Sequence, residues 1–163
     1  MMGGMSDALS HVGPAGEARM VDVGSKSVTA RRATASARIT MRAETLRAAL
    51  SGQTPKGAVI ETARLAGIQA AKRTSDLIPL CHPLALDVVE VTISADGEDA
   101  LRIEATAAAS GRTGVEMEAL TAAAVAALTL IDMLKALERT LVVTDLRLEA
   151  KSGGRSGSWT RPA

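Results

Sequence analysis

Two carboxylates and an ammonium lie at helical spacing on either side of a run, Ala119 to Ile131, that carries no charge at all. Within Gly111 to Arg139, GRTGVEMEALTAAAVAALTLIDMLKALER, the residues Glu118, Thr121, Val125, Leu128, Asp132 and Lys135 fall along one stripe at about 100° per residue. Asp132 and Lys135, at i and i+3, can act as one carboxylate–ammonium unit. They read equally as an ordinary intrahelical ion pair. A rise of about 1.5 Å per residue places Glu118 roughly 21 Å from Asp132. One small ligand then meets both only if a second chain or a fold-back brings the two ends together.

A second concentration of reactive types is the proline-bracketed stretch Lys72 to Pro83, KRTSDLIPLCHP, with Lys72, Arg73, Asp76, Cys81 and His82. Polar groups on rigid loops are where sites tend to be built. Against that, His82 reads as well as a histidine satisfied by a backbone carbonyl, and Cys81 as a small buried apolar group. Cations recur at the ends of elements: Lys56, Lys72 and Arg73, Lys135, then Lys151 and Arg155 beside Gly153 and Gly154, whose backbone can approach an oxyanion. Converging, they make a polyphosphate pocket. Dispersed, they are solvated surface charge, and spacing alone does not separate the two.

Other chemistries are poorly supported. There is no G-x-x-x-x-G-K-[ST], G-x-G-x-x-G or G-x-S-x-G. Cys81 and His82 are adjacent and His11 lies near the start, a poor set for a transition metal. No obligatory cofactor is expected, although Mg2+ arriving with a substrate phosphate is compatible with the residues.

The elements that must position these groups follow from periodicity. Residues 1–27 carry scattered charge and five glycines without period, and are expected to form a flexible N-terminal arm. From Val28 to Met41 the alternation of Ala33, Ala35, Ala37, Ile39 and Met41 with polar residues predicts a strand. Helices are expected from Met41 to Leu50 and from Gly57 to Lys72, the second tolerating Gly67 at a cost of roughly 1 kcal/mol because of close packing. Arg73 to Leu84 reads as a structured loop. Strands Ala85–Ala95 and Leu101–Ala109 flank the turn Asp96-Gly97-Glu98-Asp99, the long helix covers Val115 to Leu137, and a last strand covers Leu141 to Ala150.

The order βαββαβ, with one extra helix, predicts an α+β, ferredoxin-like antiparallel sheet with helices on one face. A single domain over 28–150 is expected, followed by a mobile Gly/Ser-rich basic tail, 151–163.

Composition bounds the function. The 163 residues hold 19 Lys plus Arg against 18 Asp plus Glu, so no global field draws the chain to nucleic acid or an anionic membrane. There is one Trp, no Phe and no Tyr, which removes the stacking platforms of single-strand binders. Alanine occurs 31 times; such a core buries little area per side chain and predicts that subunit contact adds burial, hence a homo-oligomer. One cysteine fits a reducing compartment. With no secretory pattern at the start, and the apolar run Ala119–Ile131 too short to span a bilayer, a cytoplasmic protein is expected.

Four strings, PAGEARMVD (14–22), ARLAGIQAAKRTSDLIPLCHP (63–83), GRTGVEMEALTAAAVAALTLIDMLK (111–135) and KSGGRSG (151–157), closely resemble the MoaC family, the cyclic pyranopterin monophosphate synthases of molybdenum cofactor biosynthesis. The likeness runs from about Gly13 to Gly157 in consistent order. It implies a ferredoxin-like fold, assembled as a hexamer, a trimer of dimers, with sites at subunit interfaces. It implies a lyase that converts a cyclised dihydroguanosine triphosphate to cyclic pyranopterin monophosphate and pyrophosphate. Carried over by position, Asp132 matches the family's active-site aspartate, Lys135 its catalytic lysine and Lys151 a further catalytic position. Leu80, Cys81 and His82, together with Met117 and Glu118, match substrate contacts. Lys56, Lys72, Arg73 and Arg31 match basic positions of the pocket. Two other readings stand beside this one: a non-catalytic ferredoxin-like ligand-sensing or assembly module, and, disfavoured by charge and composition, a nucleic-acid binder.

Overall fold

The computed structural model describes residues 11–13 and 15–162; most of the first part of the expected arm, 1–10, together with Pro14 and the last residue, lies outside the described residues. Alternation in the first strand has the predicted consequence. β1 (Thr29–Thr40) buries Ala33, Ala35, Ala37 and Ile39 on one face, while Arg32, Arg38 and Thr40 remain on the other. Two helices follow, α1 (Ala43–Ser51) and α2 (Val59–Ala71). The loop expected after α2 contains one helical stretch, α3 (Thr74–Leu77), which ends just before Pro79.

The hairpin β2 (Val88–Ala95) and β3 (Ala100–Gly111) turns at Gly97, whose φ of 77° is the left-handed conformation that the turn requires. β2 begins three residues later than expected. The long helix α4 (Glu116–Leu134) leads to β4 (Val142–Ser152) and a short β5 (Trp159–Thr160).

The sheet order is β2-β3-β1-β4-β5 with every pair antiparallel. Without β5 this is the ferredoxin-like arrangement that the order of elements predicts. α4 lies on the sheet with α2 beside it, and Ala119, Ala122, Ala123, Ala126, Ala127, Leu130 and Leu134 are buried. Small side chains allow an unusually close approach. A Cβ on Gly67 would come within 2.8 Å of the Ala122 carbonyl oxygen, so alanine in place of Gly67 would push α2 off α4. By length and composition α4 is apolar enough to cross a membrane, yet its contacts make it the core helix of the fold.

Two boundaries differ from expectation for physical reasons. The long helix stops at Leu134 rather than Leu137, because the chain leaves it to carry the buried carboxylate of Glu138 to the start of α1. There Glu138 accepts from the Arg42 N–H at 2.9 Å and from the Thr140 hydroxyl at 2.7 Å. Burial pushes the Glu138 carboxyl up, but these donors outweigh it and hold it below its ordinary value.

The tail expected to be mobile from Lys151 instead extends β4 through Ser152 and returns as β5, with Lys151 opposite Trp159. Arg161 fixes that return: its Nε donates to the Leu148 carbonyl at 2.7 Å and its guanidinium lies 5.7 Å from the Trp159 ring centre.

Candidate active site

Strand register gathers cations at one end of the sheet. Thr29 pairs with Gly111 and Arg32 with Ser152, so the start of β1, the end of β3 and the end of β4 meet where α4 begins. A cavity of about 700 Å³ opens there, lined among the described residues by six cationic ones, Lys26, Arg31, Arg32, Arg112, Lys151 and Arg155, and by one carboxylate, Glu116. Serines, threonines and the backbone of Gly153 and Gly154 complete its wall.

The glycine turn is shaped around Arg31. A Cβ on Gly154 would fall 1.5 Å from an Arg31 guanidinium nitrogen, and both glycines have positive φ, 96° and 73°. On its other side Arg31 donates to the carbonyls of Gly111 and Arg112 at 3.4 and 3.5 Å.

A second cavity, about 500 Å³, adjoins the first and shares Lys26, Thr113, Gly114, Glu116 and Arg155 with it. Its remaining wall is of different character: Leu80, Cys81, His82 and Leu84 from the segment after α3, Met117 and Glu118 from the first turn of α4, and His11, Val21 and Val23. The predicted contacts Leu80, Cys81, His82, Met117 and Glu118 are therefore brought together. Glu118 is only 4% exposed, and burial pushes its carboxyl up, opposed by its backbone N–H and reinforced by the charge of Glu116. Burial, then the neighbouring Glu118 charge, raises the Cys81 thiol.

At the opposite end of α4 a third group forms. α2 runs antiparallel to α4, so Lys56, just before α2, reaches the last turn of α4. Its Nζ donates to Asp132 Oδ2 at 2.7 Å and to the Asp132 carbonyl at 2.9 Å, while Lys135 Nζ lies 2.6 Å from Oδ1. Hydrogen bonds from Lys135 and then Lys56 hold the Asp132 carboxyl down to about 2. This cluster is exposed and lines neither cavity.

Within one chain the predicted residues thus fall into two separate sets. Leu80, Cys81, His82, Met117, Glu118, Arg31 and Lys151 surround the adjoining cavities; Asp132, Lys135 and Lys56 are at the far end of α4. Lys72 and Arg73 close α2 and line neither cavity. Sequence reasoning missed Lys26, Arg32, Arg112 and Glu116 as lining groups. Arg112 and Glu116 were legible as polar flanks of the Gly114 entry to α4. Lys26 was not, since nothing in an aperiodic arm says that its end folds back; the Arg112 Nε bond to the Lys26 carbonyl, 3.1 Å, holds it there. His11, set aside at the start of the arm, lines the second cavity with His82. Among the described residues no three His, Cys, Asp or Glu side chains gather as a metal-holding group.

The family model described as the MoaC family matches residues 20–154. A cyclic pyranopterin monophosphate synthase of Chloroflexus aurantiacus is 55% identical over 162 residues, 97% of this chain and 99% of the relative. One of Chloroflexus aggregans is 55% identical over 161 residues, covering 98% of each. Cyclic pyranopterin monophosphate synthase 3 of Mycobacterium tuberculosis is 54% identical over 153 residues, 94% of this chain and 86% of the relative. With the Gly153–Gly154 turn, the long helix and most of the lining of both cavities inside residues 20–154, the chain belongs to the MoaC family.

Proposed function

We propose that this chain is a cyclic pyranopterin monophosphate synthase, a lyase of molybdenum cofactor biosynthesis. It converts (8S)-3',8-cyclo-7,8-dihydroguanosine 5'-triphosphate to cyclic pyranopterin monophosphate and pyrophosphate. The observation that carries the reading is the joined pair of cavities: a six-cation hollow suited to a triphosphate beside a second one, lined by Leu80, Cys81, His82, Met117 and Glu118, suited to a heterocycle.

The residues divide the work. Opening the purine ring and closing a pterin needs repeated proton transfer, for which Lys135 acts as general acid and base with Asp132 holding its ammonium in place and Lys151 assisting. Cyclic phosphate formation is attack on the α-phosphorus with pyrophosphate leaving. Arg31, Lys151, Arg112, Arg155 and Lys26 offset the charge that develops on the leaving oxygens. No resident cofactor enters this scheme; Mg2+ arrives, where it is used, with the triphosphate.

A complete site takes the Asp132–Lys135–Lys56 group from a neighbouring chain, in a hexamer built as a trimer of dimers, with Lys72 and Arg73 meeting phosphate across the same boundary. Leu65 on α2 and Leu128 on α4, each 61% exposed, supply apolar surface for subunit contact. The enzyme works in the cytoplasm. Pyrophosphate release from the cyclised substrate tests the activity directly: the purified chain should release one pyrophosphate per pterin product. Tight binding of the substrate without release would support a ligand-sensing module instead.

A further inference from the structure

Among the described residues Glu116 is the one carboxylate lining the cationic cavity, and it stands in the wall shared with its neighbour. Its Oε1 lies 3.3 Å from Lys151 Nζ, and the same ammonium donates to Ser156 Oγ at 3.0 Å. Both partners of the pair are less than a third exposed. A second observation concerns Gly114. A Cβ there would fall 1.8 Å from Glu116 Oε2, and the three nearest atoms it would meet all belong to that carboxyl group. The φ of Gly114 is not among the positive ones, so its missing side chain serves the space the carboxylate occupies rather than the backbone. The fold therefore keeps a carboxylate folded back across the partition and aimed at Lys151.

We propose that Glu116 is a positioning and gating residue: it holds the Lys151 ammonium in the partition between the cavities and gives it up to an entering phosphate oxyanion. This deepens the function proposed above and rests on it for its substrate. An anion entering the hollow must compete with Glu116 for Lys151 and overcome its repulsion. The carboxylate thus weakens phosphate binding in exchange for aiming the amine. It also keeps the leaving pyrophosphate from being held too tightly, because Glu116 reclaims Lys151 as the product departs. The plain structural role, a first-turn carboxylate favoured by the dipole of α4, predicts effects on stability alone.

Titration calorimetry of the full chain with inorganic pyrophosphate separates the two. Glu116→Gln removes the charge; Gly114→Ala keeps it but displaces the carboxyl, at little cost to the fold because the clash is with the far end of a flexible side chain. Both variants should bind pyrophosphate roughly threefold to tenfold more tightly than wild type, and in a Lys151→Ala background the gain from Glu116→Gln should shrink below about twofold. With the cyclised substrate, both should lower KM and kcat together, a split that a helix-stabilising role does not produce. Unchanged pyrophosphate affinity, or an equal gain with and without Lys151, would overturn the gate. Binding of pyrophosphate does not depend on turnover, so a chain that shows these affinity changes yet never releases pyrophosphate from substrate would sink the proposed activity and leave the gate standing.

Discussion

The two ends of α4 each carry a carboxylate, and their surroundings drive them in opposite directions. At the first turn Glu118 is buried in a cavity wall, and loss of water raises its carboxyl. At the last turn Asp132 is open to solvent and gripped by Lys135 and Lys56, which lower it to about 2. Burial makes the first a group that can hold a proton; pairing makes the second a fixed anion that orients two ammoniums. One end lines the two cavities and lacks the Asp–Lys unit, and the other has the unit and lines neither cavity. Under the proposed function each end is half of a site, and two chains set side by side in opposite sense would join unlike halves.

Subunit mixing breaks this comparison most directly. Lys135→Ala removes the amine proposed as general acid and base and should lower turnover by roughly 10²- to 10⁴-fold. Lys151→Ala should do comparable damage in the cavity. When the two inactive variants are mixed and reassembled in equal amounts, half of the dimers are mixed and each has one intact site of two. Activity should return to about a quarter of wild type. No recovery would show that both halves act within one chain, which the 14-residue separation along a rigid helix makes hard to reconcile with the structure.

Neutralising Glu118 sharpens the other half of the comparison. Its folded-state carboxyl is raised, so the folded chain binds more protons than the unfolded one above the ordinary value of 4.5. Stability is fullest below that and falls as pH rises through the folded value. Glu118→Gln should therefore raise the Tm at pH 7 by roughly 2–5 °C and flatten the fall in stability above pH 4.5, while turnover drops. A lower Tm at pH 7 would mean that the ionised carboxylate is well satisfied in the cavity wall, and the contrast with Asp132 would vanish.

Legibility in the sequence followed the same divide. Alternation through Ala33 to Ile39 and the uninterrupted run of α4 were visible because burial on one face leaves a period in the residue types. The Asp132–Lys135 pair was visible because an i, i+3 contact is local. Lys56 could be named as a cation at a helix start, but its meeting with Asp132, 76 residues away, depends on the antiparallel packing of α2 on α4. The arm residue Lys26 escaped for a related reason: its role depends on a loop path that no period records. The end of α4 was misjudged because helix propensity continues through Ala136 and Leu137, while a tertiary demand, the cap that Glu138 provides to α1, pulls the chain away.

The smallest effect expected is at the exposed end. Asp132 contributes to stability in the sense of any depressed carboxylate: the contribution is present above 3.8 and lost as pH falls from there toward about 2. All three side chains stand in water, each more than a third exposed, so screening leaves little of that attraction as net stability. Asp132→Asn should leave the Tm at pH 7 within about 2 °C of wild type, with a comparably slight change below pH 4. A fall of more than about 8 °C would instead make the cluster a clamp between α2 and α4. If the small shift is found alongside large losses of turnover, two lysines held on one exposed aspartate do little for this chain's own fold. Their use is then to be met by something that approaches from outside it, as a neighbouring chain's cavity would.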